Sequence, residues 1–507
     1  MPLLPGLLLM SGVAAGDWLT FGGDPQRTGW VRESAFTKEN AGRLKLEWKI
    51  NLDNRPKELN SLTAPLVAGG VITPRGFMEL VVVAGSSDVV FAVDADSGKL
   101  FWQRKLAAEG TPKSEPHWLC PNALNATPVI DRQTGTVYVI ASDGKLHSLS
   151  LVNGEELAPA AQFVPPFSKN WSLNLADGVI YTTISQGCNG AKSAVYAMDV
   201  TKPERPVTSL LSTTTGGAGI WGRAGAAISP SGLVFAETGD GPYDAAAGKL
   251  PDTILAVSVK DLKLVDYYTP ANRAWITRKD LDMGCISPVV FPFKQSELVA
   301  GSGKEGVIYL LDAKSPGGAD HRTPLYRSGL ITNEEANFWG RGFWGAFATR
   351  EDDKGARWLY APAWGPPGSG APKFDYSYGE TPNGSIMAFR VEEKDGKLTL
   401  AGVWMSSNLS VPEPPVVAGG VVFALSNGEN VEQVDSQGKI LTSAQRATRP
   451  AGNAVLYAFD ADTGKDLYSS KDAISGWTHF SGLGVSGGRM YVVTHDSHLY
   501  AFGLGEE

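Results

Sequence analysis

The sequence is short of cysteine, histidine and long apolar runs, and each shortage removes a class of function. Cys120, Cys188 and Cys285 are the only cysteines in 507 residues. None falls in a C-x-x-C or C-x-x-C-H spacing, which excludes an attached c-type haem and a zinc ribbon, and at most one internal disulfide can form. The six histidines make no H-E-x-x-H or other compact ligand set. His495 and His498 lie close together, but in a stretch that matches the hairpin turn of SDGKLHSL (142–149), so they are read as turn residues. No G-x-S-x-G elbow is present to support serine hydrolysis. No run is long enough for a membrane span. A basic stripe is also missing, and the formal net charge is −8, which disfavours nucleic-acid binding. Finally, no long segment carries the period of an amphipathic helix.

What remains is a core-forming chain dense in turns. Apolar residues make up 43% and charged residues 19%, enough to bury a large core. The 59 glycines and 32 prolines are scattered rather than clustered, which suits many tight turns and not a disordered tail. Residues 1–16 read as a secretory signal peptide. Leu3 to Val13 is a short apolar core and Val13-Ala14-Ala15 supplies the small residues of a cleavage site, although a basic start is missing. A periplasmic or secreted location is expected on that basis.

A repeat organises the rest. FAVDADSGKLFW (91–102) recurs as YAFDADTGKDLY (457–468), with looser copies starting at His147, Tyr196, Leu255, Tyr309, Met387 and Tyr500. In each, a short run rich in Val, Ile, Tyr and Phe precedes the copy, as strands prefer. In the clearer copies a D-x-x-T/S-G-K turn follows, in which Asp caps the turn and Gly takes positive φ. Eight such units of about four strands predict an all-β, eight-bladed β-propeller. The last copy stops before its outer strand, and RLKLEWKINL (43–52) resembles KLFWQRKL (99–106). The N-terminal strand is therefore expected to complete the last blade and leave no open edge, with 17–507 as a single propeller domain.

Two G-x-G-x-x-G matches fail on context. The first, Gly217 to Gly222, is followed by Pro230 and Gly232 where a Rossmann helix would run, and the second, Gly301 to Gly306, leads straight into the strand VIYLLDA.

The blade signature, the opening WLTFGGDPQRTGW and a series of inner motifs resemble the pyrroloquinoline quinone (PQQ) dehydrogenase-like propellers, the quinoprotein alcohol dehydrogenases and their relatives. GGAGIWGRAG (216–225) is similar to the family's Gly-Gly-x-x-Trp-Gly segment. The resemblance makes Trp221 the floor beneath a flat quinone, with small neighbours such as Gly219 allowing close approach; a blade-docking aromatic is the other reading of Trp221. AETGDGPYD (236–244) resembles a Thr-Gly-Asn segment, with Asp240 in the place of a cation-binding Asn; a plain turn Asp is the other reading. KDLDMG (279–284) resembles Trp-Asp-x-Asp. This implies Asp280 as the base that takes the alcohol proton and Asp282 as the extra carboxylate of lanthanide-using relatives, both reaching one way from an extended strand. GSGKEGVIYLLD (301–312) resembles the segment whose cation contacts the quinone oxygens, here Lys304, which would steady the reduced oxygen. GRGFWGAF (340–347) retains Trp344 of a Gly-Gly-x-Asn-Trp motif, and GWTHFSG (476–482) offers Trp477 or His479 to the pocket.

The departures are specific. A vicinal Cys-Cys is here Cys120-Pro121, which leaves Cys120 alone as a candidate cofactor contact. The Arg that follows it in relatives is missing. The Glu expected near ISQGCNG (184–190) is replaced by Gln186 or Cys188. Whether Cys120 and Cys188 pair is left open. The resemblance implies a PQQ-dependent dehydrogenase that oxidises an alcohol or sugar-like hydroxyl. A Ca²⁺ or lanthanide ion would sit at Asp240, Asp282 and Asp280, and a separate electron acceptor such as a cytochrome c would serve it. The lost residues support a second reading, a non-catalytic propeller that binds a glycan or protein partner.

Overall fold

The computed structural model describes residues 16–32, 34–450 and 452–505; most of the signal-peptide segment lies outside them. Eight mainly antiparallel sheets of four or more strands follow one another along the chain, two of them extended by a short parallel strand (Trp30–Val31 and Tyr376–Ser377), with a two-stranded parallel ribbon pairing Ile286–Ser287 with Gly345–Ala346. We number the blades by chain order: blade 1 (66–105), blade 2 (129–162), blade 3 (169–211), blade 4 (227–268), blade 5 (289–327), blade 6 (342–405), blade 7 (416–469) and blade 8 (484–503). This is the eight-bladed propeller that the repeats predict. The strand Lys45–Asn51 pairs antiparallel with His498–Gly503 and forms the outer strand of blade 8, so the ring closes as the sequence implied. Among the described residues no helix is long and apolar enough to cross a membrane.

The repeated turn does more than reverse the chain. Gly98 adopts φ +66°, and a Cβ there would lie 2.5 Å from the Trp48 ring of blade 8. Gly154 and Gly464 stand in the same way beneath Trp102 and Trp404 of the preceding blades. Each indole N–H donates to a carbonyl of the same turn: Trp48 to Ala95 (2.8 Å), Trp102 to Leu151 (2.9 Å) and Trp404 to Ala461 (2.9 Å). The turn glycine thus gives both the left-handed backbone and the space for a neighbouring blade to dock.

The segment Gly16–Val31 lines one end of the hub and meets the blades in chain order. Ser486 of blade 8 donates to Gly16 O. Trp18 exchanges backbone bonds with Val67 of blade 1, Leu19 O accepts from Ile130 of blade 2, and Thr20 donates to Leu173 O at blade 3. Pro25, Gln26, Thr28 and Gly29 carbonyls accept from Ile228, Val290, Thr349 and Val417 of blades 4 to 7. Arg27, 1% exposed, donates to Ala226 O, Phe21 O and Leu173 O at 3.2, 2.7 and 3.0 Å. Burial pulls its guanidinium down to about 9, against the pull of Asp24.

Candidate functional site

At the other end of the hub is a cavity of about 590 Å³, within the roughly 300–1,000 Å³ of small-molecule sites. Gly219, Trp221, Asp240, Asp280, Asp282, Lys304 and Trp344 all line it. Cys120 and Trp477, the other two sequence candidates, do not. Trp477 is buried and stacked on His495, with ring centroids 4.3 Å apart. Cys120 is joined to Cys188 by a disulfide (Cα–Cα 5.4 Å), which ties the loop after blade 1 to the hairpin loop of blade 3. The preceding Trp118 and Leu119 reach the cavity instead. His495 and His498 flank the hairpin turn between Arg489–Val493 and His498–Gly503.

One corner of the cavity, built by blades 4 and 5, is ionic. Lys304 Nζ donates to Asp282 Oδ2 at 2.6 Å and lies 3.4 Å from Asp280 Oδ1, while the Asp240 amide donates to Asp282 Oδ1 at 2.8 Å. The side chains of Asp282 and Lys304 are 6% and 5% exposed, whereas that of Asp280 is 50% exposed. KDLDMG is not the extended strand expected of it. Asp280 follows the short helix Arg273–Arg278 with φ +56°, and Asp282 precedes the turn Met283–Cys285. The two carboxylates still converge, because Lys304 also bonds the Asp280 carbonyl, at 3.1 Å. Burial and the Asp282 charge push Asp240 up to about 6 and Asp280 up to about 7. Burial opposes ionisation of Asp282 too, but the Lys304 ammonium outweighs it and holds that carboxyl below its ordinary range. Behind the corner, burial and Asp282 push Asp252 up to about 7.

Aromatic rings form the adjoining wall. Trp221 meets Trp344 edge to face at 5.4 Å, and Trp344 stacks on Trp364 at 4.5 Å. The Lys304 ammonium lies 5.3 Å from the Trp221 ring centroid and 5.4 Å from that of Trp344, within cation–π range. Most glycines of this region serve the hub itself. A Cβ on Gly284 would meet Gly219 O at 2.5 Å, and one on Gly239 would meet Asp282 Oδ1 at 2.8 Å, so backbone stacking brings Asp282 to Trp221 and Asp240.

A second polar group, from blades 3, 7 and 8, was not read from the sequence. Arg446 donates to Glu429 Oε1 at 2.8 Å, and His479 Nδ1 lies 2.7 Å from Glu429 Oε2. Lys169 and Arg446 also line the cavity. Burial lowers His479 to about 4 despite Glu429, so it is neutral and donates through Nδ1. Arg223, within GGAGIWGRAG, pairs with buried Glu413 and covers Phe480 at 3.9 Å. Lys169, Glu429 and Arg446 carried no motif signal, whereas His479 and Arg223 lie in motifs the sequence offered.

Fold and hub define an eight-bladed β-propeller with a cavity at its centre. The family model described as outer membrane protein assembly factor BamB matches residues 32–205. A curated relative, the outer membrane protein assembly factor BamB of Yersinia pestis, is 33% identical over 112 residues, which is 22% of this chain and 25% of the relative; the match therefore spans about a quarter of that protein's length. Among solved structures, the quinohemoprotein alcohol dehydrogenase of Comamonas testosteroni aligns at a TM-score of 0.59 and 15% identity over 99% of this chain and 83% of its own. The quinohemoprotein alcohol dehydrogenase ADHIIG of Pseudomonas putida aligns at 0.62 and 16% over 99% and 82%. A europium-containing methanol dehydrogenase aligns at 0.59 and 16% over 96% and 89%. At these identities the likeness establishes the shared fold.

Proposed function

We propose that the protein is a PQQ-dependent dehydrogenase that oxidises an alcohol or sugar-like hydroxyl, with a Ca²⁺ or lanthanide ion beside the quinone. One observation carries the reading: Asp240, Asp280, Asp282 and Lys304 converge beside Trp221 and Trp344 in a single hub cavity. The donor set fits a hard cation. Carboxylate oxygens of the three aspartates lie within 4.8 Å of one another, and Lys304 neutralises only one of three charges, leaving the repulsion that raises Asp240 and Asp280. An all-oxygen set suits Ca²⁺ or a trivalent ion. The apolar indole wall fits a flat aromatic ring.

Bound there, PQQ and its cation would supply a two-electron acceptor with a polarised carbonyl. The chain supplies the rest. Asp280, half exposed and titrating near neutrality, accepts the proton of a substrate hydroxyl at its carboxylate. Lys304 keeps Asp282 ionised, and Trp221 gives the ring a surface. The disulfide supports an oxidising compartment outside the cytosol, and electrons leave to a separate acceptor such as a cytochrome c.

The test is reconstitution of the purified chain with PQQ and Ca²⁺ or La³⁺, followed by the quinone spectrum and dye reduction with short alcohols. A bound spectrum and alcohol-dependent reduction are expected; no binding with either ion at micromolar PQQ overturns the reading. Trp221→Ala is expected to weaken binding, and unchanged binding removes Trp221 as the floor. The BamB matches favour one alternative, a non-catalytic scaffold for a glycan or protein partner, which the first failure would promote.

A further inference from the structure

Apart from the ionic corner, the cavity wall holds a cation without an anion. Lys169 is 4% exposed and lines the cavity. Among the described residues its ammonium makes a single hydrogen bond, a long one of 3.5 Å to Trp118 O, and lies 5.3 Å from the Trp171 ring. No described carboxylate pairs with it. Arg446 lies over Trp118 at 4.9 Å and repels Lys169. Glu429 is taken up by Arg446 and His479, and Glu413 by Arg223. Arg446 Nε has no hydrogen-bond partner. Of these two buried cations, only Arg446 has a carboxylate, and N–H donors are left to spare at the cavity wall. A buried charge without a partner is costly, and chains keep such a group where a ligand supplies the partner.

We propose that Lys169 and Arg446 form a carboxylate-binding subsite, so that the hub cavity takes a ligand bearing an anion that is held by groups other than Asp240, Asp280, Asp282 and Lys304. This rests on the cavity being the small-molecule site argued above, but not on the ligand being a quinone. The carboxylate has two possible sources, the quinone (PQQ is a tricarboxylate) or a hydroxy-acid substrate. The subsite supplies, from another blade, the cation missing after Cys120.

The test titrates the intact chain with PQQ, with its trimethyl ester and with mandelate, an aromatic hydroxy acid, following quenching of tryptophan fluorescence. Lys169→Met is expected to weaken at least one carboxylate about tenfold or more, the worth of a charged hydrogen bond, and to leave the ester unchanged. Lys169→Arg is expected to retain binding. Without ligand, Lys169→Met is expected to melt no lower than the parent, since it removes an unpaired buried charge. Burial and Arg446 lower the Lys169 amine to about 7, so carboxylate binding by the parent falls as pH rises through 7, and Lys169→Arg removes that fall; neutral His479 and paired Glu429, the other groups facing Lys169, do not titrate there in the same sense. Binding of PQQ and of mandelate that both ignore Lys169 overturns the subsite and leaves the quinone reading intact. Lys169-dependent binding of mandelate without binding of PQQ supports the subsite and overturns the quinone. If neither carboxylate binds, the subsite is overturned.

Discussion

At the scale of single residues, the hub is a set of charges that burial has forced to choose partners. Lys304 chose Asp282, and the pair is almost fully buried. Lys304→Met leaves that carboxylate alone in a low dielectric, and a loss of about 3–5 kcal/mol is expected, read by urea unfolding at pH 7 and smaller at pH 5, where Asp282 can take a proton. Asp252 behaves differently. It is fully buried, accepts from Thr277 at 2.5 Å and is pushed up to about 7. Between about pH 4 and 7 the folded chain holds a proton there that the unfolded chain has released. The stability from this group is full below pH 4 and lost as pH rises through 7. Asp252→Asn keeps the shape without the charge, so its stability relative to the parent is expected to rise by up to about 4 kcal/mol between pH 4 and 8; parallel pH curves for the two chains would contradict the assignment. Which of these residues could be read in advance follows from their setting. Trp221, Asp240, Asp280, Asp282 and Lys304 sit in local patterns, whereas Lys169, Glu429 and Arg446 are solitary residues with no pattern; one long connection of blade 7 pairs the last two, and the fold brings Lys169 of blade 3 to the same cavity.

At the scale of the element, the repeat was legible because its sequence serves two demands at one position. The glycine of D-x-x-T/S-G-K takes positive φ, and it also clears room for the indole of the preceding blade. The first demand is visible in the sequence as a turn; the second is not, because Trp48 and Gly98 are 50 positions apart in numbering and meet only across the seam that closes the ring. Gly464→Val is expected to cost about 1–3 kcal/mol from overpacking against Trp404, plus the strain of a β-branched residue at φ +72°. Trp102→Ala, which removes the ring and its bond to Leu151, is expected to cost about 3–5 kcal/mol. Both are measured by chemical denaturation. The KDLDMG segment shows the reverse case. A spacing of two suggested a strand, but the glycines around it let neighbouring backbones press in, and the segment became a turn whose carboxylates are gathered by one lysine.

At the scale of the whole molecule, a single peptide touches all eight sheets. Arg27→Met removes buried bonds to the carbonyls of Phe21, Leu173 and Ala226; Thr20 and Asn174 still donate to the last two, and the Phe21 carbonyl, left without that donor, costs about 1–3 kcal/mol. The expected outcome is a clear fall in melting temperature with a single transition retained; a second transition would mean that the blades unfold independently of that peptide.

The same peptide sets an order of events during synthesis. Residues 16–31 leave the ribosome before any of their partners, and those partners are strung along the chain as far as Val417 and Ser486. Early blades can form as they emerge, but the hub cannot be locked until almost the last blade exists. A chain halted partway carries an unengaged clasp and an open seam, which marks it as unfinished to any protease or chaperone that meets it.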